Sequence, residues 1–158
     1  MRLRHFSKTK LAFDPYFEYP QSPDQMLYKP TGLWLSDENR DDGWQSWCQV
    51  NEFGIYRLKH WSDFELDLDK ILHLKNSNEI INFSDKYSHT KYSMIAVDWE
   101  IVKKDYSGIL ITPYNYACRL HHRCLWYYGW DCASACIWDL SSIYFIDQGE
   151  NVEHQACQ

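Results

Sequence analysis

The C-terminal third of the chain carries the densest group of residues that could bind a metal ion. Six potential ligands fall within nineteen positions: Cys118, His121, His122, Cys124, Cys132 and Cys136. Four thiolate or imidazole ligands are the usual set of a structural zinc site. The spacing C-x5-C-x7-C-x3-C lacks the C-x2-C pairs typical of zinc ribbons, and free cysteines are commonly buried as small apolar residues. Zinc and a set of buried thiols are therefore both open interpretations.

The same segment is also rich in positive charge. The stretch "RLHHRC", residues 119–124, places two Arg and two His side chains close together in an acidic chain. Guanidinium groups bind carboxylates and phosphates well, so an anion site is one interpretation. A solvated basic loop is the other.

Three short stretches in the N-terminal half could bind a flat ring. "RHFS" contains His5 and Ser7, which share one face if the stretch is a strand. "GLWLS" follows about thirty residues later and "WQSWC" comes soon after it, so that Gly32, Trp34 and Trp47 lie close in sequence. Aromatic residues make up 17% of the chain, so these tryptophans either line a pocket or fill the core.

The stretch "SDENRDD", residues 36–42, is strongly acidic. It could mimic phosphate or bind calcium. It lacks the ligand spacing and the central glycine of an EF-hand loop. We therefore expect a solvated turn.

Composition limits the class of protein. A length of 158 residues fits a single globular domain, 1–158. The net charge of −6 argues against a dedicated nucleic-acid binder, whose affinity comes largely from neutralising phosphates. No apolar run approaches the length of a membrane span, and the basic start lacks the apolar core of a signal peptide. We expect an intracellular, cytoplasmic protein with no membrane association, whose cysteines are reduced.

The hydrophobic patterns predict more strands than helices. A capping box from Asn76 to Glu79 begins a helix with Ile80, Phe83 and Tyr87 on one face. A second helix is predicted over 97–106, and "WQSWCQV" favours a helix or a bent strand. Strands are predicted at 3–6, 32–36, 54–60, 63–69, 109–112, 135–139 and 142–147. The Pro-rich residues 14–30 are expected to be irregular.

Because no regular crossover helices join these strands, the pattern predicts an α+β fold with two mostly antiparallel sheets forming a cleft and few short helices.

The three N-terminal stretches resemble the nicotinamide pocket of the ADP-ribosyltransferase fold, in the branch that includes the poly-ADP-ribose polymerases. That branch has a His-Gly-Ser/Thr strand, a Gly-Ile-Tyr-Phe-Ala/Ser strand and a Ser-x-x-Tyr at a helix start. The corresponding residues here are His5-Phe6-Ser7, Gly32-Leu33-Trp34-Leu35-Ser36 and Ser46-Trp47-Cys48.

The resemblance implies a role for each of these residues toward NAD. Trp34 and Trp47 stand where the family has the tyrosines that sandwich nicotinamide. His5 would bind the nicotinamide ribose, and Ser7 or Ser36 the carboxamide. Gly32 would let the backbone approach the ring.

The C-terminal third departs from the family pattern at the catalytic glutamate. "YSGILI" would be the strand before it and "SACIWDLSSIYFI" the closing pair of strands. Aligning Trp138-Asp139 with the family's aromatic-Asp step places Ser134 at the glutamate position. Asp131, three residues earlier, is the nearest carboxylate that could stabilise the oxocarbenium-like transition state. It could equally be a turn residue after Gly129.

Two functions follow from these observations. The first is an NAD-dependent mono-ADP-ribosyltransferase-like protein, active or degenerate, whose acceptor would be an unknown protein or nucleic acid. The second is a non-enzymatic interaction module, zinc-stabilised or not, whose tryptophan-rich surface binds a protein partner.

Overall fold

The computed structural model describes residues 1–20, 29–91 and 94–151. Its strands are β1 (Arg2–Ser7), β2 (Leu33–Ser36), β3 (His60–Leu66), β4 (Ile71–Leu74), β5 (Ser88–Lys91), β6 (Met94–Val97), β7 (Gly108–Ile111), β8 (Ser134–Ile137) and β9 (Ile143–Glu150). Its α-helices are α1 (Trp44–Val50), α2 (Ser77–Tyr87), α3 (Trp99–Asp105) and α4 (Tyr116–Arg119). Three 3₁₀ helices span Ile55–Leu58, Leu125–Gly129 and Leu140–Ser142. The chain is thus of the α+β class with few short helices, as the sequence predicts.

Seven strands form one mixed sheet in the order β4-β7-β8-β2-β1-β3-β9, and β5 and β6 form a separate antiparallel pair. Within the seven-stranded sheet only β4 and β7 run parallel; the other neighbours are antiparallel. The prediction of mostly antiparallel pairing is therefore confirmed. The cleft described below opens between strands of the one large sheet, whereas we expected it between two sheets.

The sheet separates two apolar clusters, because successive strand residues point to opposite faces. On β7, Leu110 joins the cluster containing Leu33 and Ile137. Its neighbours Ile109 and Ile111 join the cluster with α2, α3 and the tryptophans. Trp99, Trp126 and Trp130 are fully buried there, so these three tryptophans are core residues.

Helix α2 forms as its local sequence predicts. The side chain of Asn76 accepts a hydrogen bond from the backbone N–H of Glu79, 3.0 Å away, which satisfies one of the unpaired donors of the first turn. Ile80, Phe83 and Tyr87 are buried on one face. Helix α3 is also confirmed, but Val97 belongs to β6, and Trp99 and Val102 form its buried face.

Two strand predictions are wrong. Residues 55–58, expected to be a strand, form a 3₁₀ helix because Gly54 adopts the left-handed conformation (φ 61°) and its carbonyl accepts from Arg57. The closing strands β8 and β9 do not pair with each other. The Asp139-capped turn at Leu140–Ser142 redirects the chain, so β9 pairs with β3 at the far edge of the sheet.

The remaining expectations concern the Pro-rich segment and the membrane. Of the Pro-rich residues, 21–28 lie outside the described part of the chain, and the described residues 14–20 contain neither helix nor strand. None of the helices among the described residues has the length and apolar character that crossing a bilayer requires.

Candidate functional site

A cavity of about 290 Å³ lies beside the point where β1 and β2 separate. These two strands share a single register pair, Arg4 with Ser36, whereas β1 pairs with β3 at six positions. Paired residues point to the same face of a sheet, so Arg4, Ser36 and Trp34 face the same side. The gap between β1 and β2 therefore opens onto a face that already carries polar, charged and aromatic side chains.

His5 links the two strands where their backbone ladder has ended. Its Nδ1 lies 2.9 Å from the backbone carbonyl oxygen of Trp34. Because a carbonyl only accepts, Nδ1 carries the proton, which leaves Nε2 of the neutral ring as an acceptor. Burial lowers the pKa of His5, and the hydrogen bond to Trp34 opposes that shift without cancelling it. His5 also lines the cavity, so it is available there as a neutral hydrogen-bonding group.

Three tryptophans form the aromatic wall of the cavity: Trp34, Trp44 and Trp130. Trp34 and the buried Trp130 meet edge to face, with ring centroids 4.8 Å apart. Trp47 does not line this cavity. It stacks on Trp44 at 5.0 Å, nearly parallel, and lines a neighbouring cavity of about 260 Å³. The resemblance implied a sandwich of Trp34 with Trp47, whereas the tryptophans that line this cavity are Trp34, Trp44 and Trp130.

Helix α1 is held against the cavity by Ser36. Its hydroxyl oxygen accepts from the backbone N–H of Trp44 at 2.6 Å and donates to the carboxylate of Glu38. The residue before the helix, Gly43, provides no side-chain cap, so Ser36 supplies this acceptor from β2. Ser36 lines the cavity, but its hydroxyl is already engaged in positioning Trp44.

The acidic stretch is not a fully solvated turn, contrary to the expectation. Asp37 is 2% exposed and its carboxylate accepts from the Thr112 hydroxyl at 2.7 Å. Asp42 accepts from the backbone N–H of Tyr114 at 2.9 Å. Two backbone hydrogen bonds tie Ala133 to Asp37 and to Asp42. The turn therefore fixes the start of β8, and with it the position of Asp131, against α1.

Asp131 lines both cavities and follows the 3₁₀ helix that ends at Gly129. Its carboxylate lies 3.7 Å from Nζ of Lys29 and 3.8 Å from Nη2 of Arg119. Ser134 also lines the first cavity, but its hydroxyl donates to the Cys132 carbonyl at 3.1 Å. Of the two residues predicted to be catalytic, Asp131 is thus the one that brings charge to the cavity.

Sequence reasoning missed the basic side of this cavity, which is formed by Arg4, Lys29 and Arg57. The guanidinium of Arg4 is fixed by the buried carboxylate of Asp63, with Nε 2.7 Å from Oδ1, and it stacks over the ring of Trp61. The alternation of Arg2 and Arg4 along β1 does not reveal this partner, since Asp63 lies on another strand. The sequence could have revealed Trp44 as a candidate site residue, because Trp44 and Trp47 are three residues apart and share one helix face.

Besides Trp47, two predicted cofactor-binding residues, Ser7 and Gly32, lie outside the cavity. The Ser7 hydroxyl donates to the Thr9 carbonyl at 2.6 Å. Gly32 is needed for a different contact from the one expected: a Cβ there would lie 2.8 Å from Sγ of Cys136 and still closer to the Ile137 carbonyl oxygen. Gly32 therefore lets β2 approach β8 closely, and it is not among the residues that line the cavity.

The cysteine and histidine cluster is spread over core and surface. Cys118, Cys124, Cys132 and Cys136 are buried, free thiols, whereas the rings of His121 and His122 stack on each other at 4.6 Å. Burial raises the pKa of Cys124 and of Cys132 to about 12, so both are protonated and poor nucleophiles. Within residues 1–20, 29–91 and 94–151, no three His, Cys, Asp or Glu side chains are grouped so that they could hold a metal ion.

The arginines of the basic loop have acidic partners nearby. Arg119 faces Asp131, and Arg123 donates to Asp85 through Nε at 3.0 Å. The loop is therefore a weaker anion site than the sequence suggested, because both guanidinium groups are already partly neutralised.

Comparison with protein-family models, curated proteins and solved structures finds no match for this chain. The function must therefore be argued from the side chains of the cavity.

Proposed function

We propose that the cavity between β1, β2 and α1 binds NAD and that the protein is an ADP-ribosyltransferase-like protein that transfers ADP-ribose to an acceptor. The observation that carries the proposal is that five residues expected from the resemblance line one cavity: His5, Trp34, Ser36, Asp131 and Ser134. They come from three distant parts of the sequence. An ordinary core of tryptophans gives no reason for a histidine, a carboxylate and three cations to converge there.

The chemical groups suit the parts of NAD. Trp34 and Trp44 offer flat faces for the positively charged nicotinamide ring. His5, neutral and with Nε2 as an acceptor, suits a ribose hydroxyl. Arg57 suits the pyrophosphate, which guanidinium groups bind well, whereas the guanidinium of Arg4 is already paired with Asp63.

The reaction would be a substitution at the anomeric ribose carbon. The bond from this carbon to the nicotinamide nitrogen breaks, and nicotinamide leaves as a neutral molecule with the electron pair. The acceptor forms the new bond and loses its proton. Positive charge develops on the ribose in the transition state, and the carboxylate of Asp131 is the group that would stabilise it. An acceptor could reach Asp131 from the neighbouring cavity, which Asp131 and Trp47 both line.

The test combines binding and turnover. NAD binding is measured by calorimetry, and nicotinamide release by chromatography. Asp131→Asn should lower the rate of nicotinamide release by about 10²–10³, the usual effect of removing one preorganised electrostatic contact, and weaken NAD binding by far less than this factor. His5→Ala should weaken NAD binding itself. The matched control is Asp85→Asn, because Asp85 also pairs with an arginine but is exposed and outside both cavities.

The outcomes separate the alternatives. No NAD binding at millimolar concentration refutes the proposal. If the wild type binds NAD but releases no nicotinamide, the protein binds the nucleotide without catalysing transfer. An Asp131→Asn variant as active as the wild type would mean that Asp131 is only a turn residue.

The second candidate function is an interaction module. It is favoured by exposed apolar and aromatic residues beside α1 and α4, namely Val50, Phe53, Tyr116 and Leu120. Of these, Val50 and Tyr116 line the neighbouring cavity. Loss of partner binding in Val50→Ser with NAD binding intact would support this function independently of the first.

A further inference from the structure

Lys29 lies inside the cavity, against the two groups that would contact a positively charged ring. Its Nζ is 5.2 Å from the centroid of the Trp34 ring and 3.7 Å from Oδ2 of Asp131. A cation over an aromatic face beside a carboxylate is a favourable arrangement in a partly desolvated site. Lys29 therefore makes the contacts that a cationic ligand would make.

The environment holds the lysine loosely. Its side chain is 42% exposed, so the ammonium can return to water at small cost. Asp131 keeps a second cation, Arg119, at 3.8 Å, so the carboxylate stays paired when Lys29 leaves. The backbone beside Lys29 is more firmly placed, because the Pro30 carbonyl accepts from the buried thiol of Cys136.

We propose that Trp34 and Asp131 form a cation subsite, that Lys29 fills it in the free protein, and that a ligand with a positively charged aromatic ring displaces Lys29. For NAD as ligand the inference rests on the proposed function. It deepens that function, because the ring loses its charge when nicotinamide leaves. The neutral product then forfeits its attraction to Asp131, and Lys29 competes with it for Trp34. Asp131 would thus favour the charged substrate, and Lys29 would promote release of the neutral product.

The experiment uses two probes of almost the same shape, nicotinamide, which is neutral, and its ring-methylated derivative, which is a cation. Calorimetry on the full chain should show the cation binding more tightly, and Asp131→Asn should bring the two affinities together. Lys29→Met should tighten both probes by about 3- to 10-fold, the effect expected from removing one competing cation–π contact and one exposed ion pair. The control is Lys70→Met, because Lys70 pairs with Asp67 outside the cavity.

A second measurement reports directly on displacement. Reductive methylation of lysines, followed by mass spectrometry, should label Lys29 faster when the cationic probe is bound, because its ammonium leaves Trp34 and Asp131 for water. Slower labelling, or weaker probe binding in Lys29→Met, would make Lys29 a ligand contact and overturn the proposal. Failure of both probes to bind wild type and Lys29→Met would also overturn it.

The failure of this inference is distinguishable from that of the proposed function. If NAD does not bind but the cationic probe displaces Lys29, the cation subsite stands and the NAD proposal falls. If NAD binds and is cleaved while Lys29→Met leaves both probe affinities unchanged, the NAD proposal stands and the cation subsite is refuted.

Discussion

The carboxylate of Asp63 offers the sharpest test of how this sheet is held together beside the cavity. Asp63 is 1% exposed and accepts hydrogen bonds from Arg4, at 2.7 and 2.8 Å, and from Arg2, whose Nε lies at 3.0 Å. Burial by itself raises the pKa of Asp63, but the hydrogen bonds from Arg4 and Arg2 outweigh it. The pKa therefore lies below its ordinary value.

Replacing Asp63 and replacing its partners Arg2 and Arg4 should lower the free energy of unfolding by different amounts. In Asp63→Asn the two guanidinium groups lose a charged acceptor, but they are 52% and 27% exposed and can turn to water. We expect a loss of about 1.5–3 kcal/mol in the free energy of unfolding, the range for hydrogen bonds to charged groups. The double variant Arg2→Gln, Arg4→Gln leaves a buried charge without a partner, which costs about 3–5 kcal/mol.

The pH dependence has a definite sign. Because the pKa of Asp63 is lower in the folded chain than in the unfolded chain, its contribution is complete above the unfolded value of about 3.9. It is lost as the pH falls below that value and through the folded pKa. Asp63→Asn should therefore lose less stability than the wild type over this acidic range.

Urea unfolding of the wild type, Asp63→Asn and the double arginine variant, between neutral pH and pH of about 3, measures these differences in the free energy of unfolding. The comparison requires that the m-values of the three proteins agree. The reasoning would be refuted if Asp63→Asn cost as much as the double arginine variant, or if its pH profile ran parallel to that of the wild type.

Two further predictions concern stability. Gly32→Ala should lower the free energy of unfolding by about 1–3 kcal/mol or more, because its Cβ meets the backbone of β8 and the strands must shift. Thermal unfolding measures this effect, with Thr31→Ala as the control, and an unchanged melting temperature would contradict it. Asn76→Ala should cost about 0.5–2 kcal/mol through loss of the cap of α2. Asn78→Ala, exposed on the same helix, is the control in urea unfolding, and equal effects of the two variants would argue against the cap.

The elements that were predicted well depend on local interactions. Helix α2 is an example, because its cap at Asn76 and the apolar spacing of Ile80, Phe83 and Tyr87 are complete within twelve residues. The strands β1 and β2 were also predicted from short local stretches of sequence. The candidate residues His5, Trp34 and Asp131 were found because unusual residue types stand out in a sequence.

Only the tertiary structure determined which of these strands are neighbours in the sheet. The parallel pairing of β4 with β7 and the separation of β8 from β9 depend on contacts between distant residues. The same is true of the contact between Gly32 and β8, which gave this glycine a packing role in place of a ligand contact.

Contacts between distant residues also determined which side chains line the cavity. The family resemblance implied that Trp34 and Trp47 face each other, but α1 brings Trp44 to the cavity and Trp47 to the next one. Arg4 is fixed there by Asp63, fifty-nine residues away, and Asp131 meets Lys29 from the other end of the chain. A sequence specifies local conformation through neighbouring residues, whereas a cavity is the space between distant ones. Five of its lining residues could therefore be predicted as candidates, but the pairing of Arg4 with Asp63 and of Lys29 with Asp131 could not.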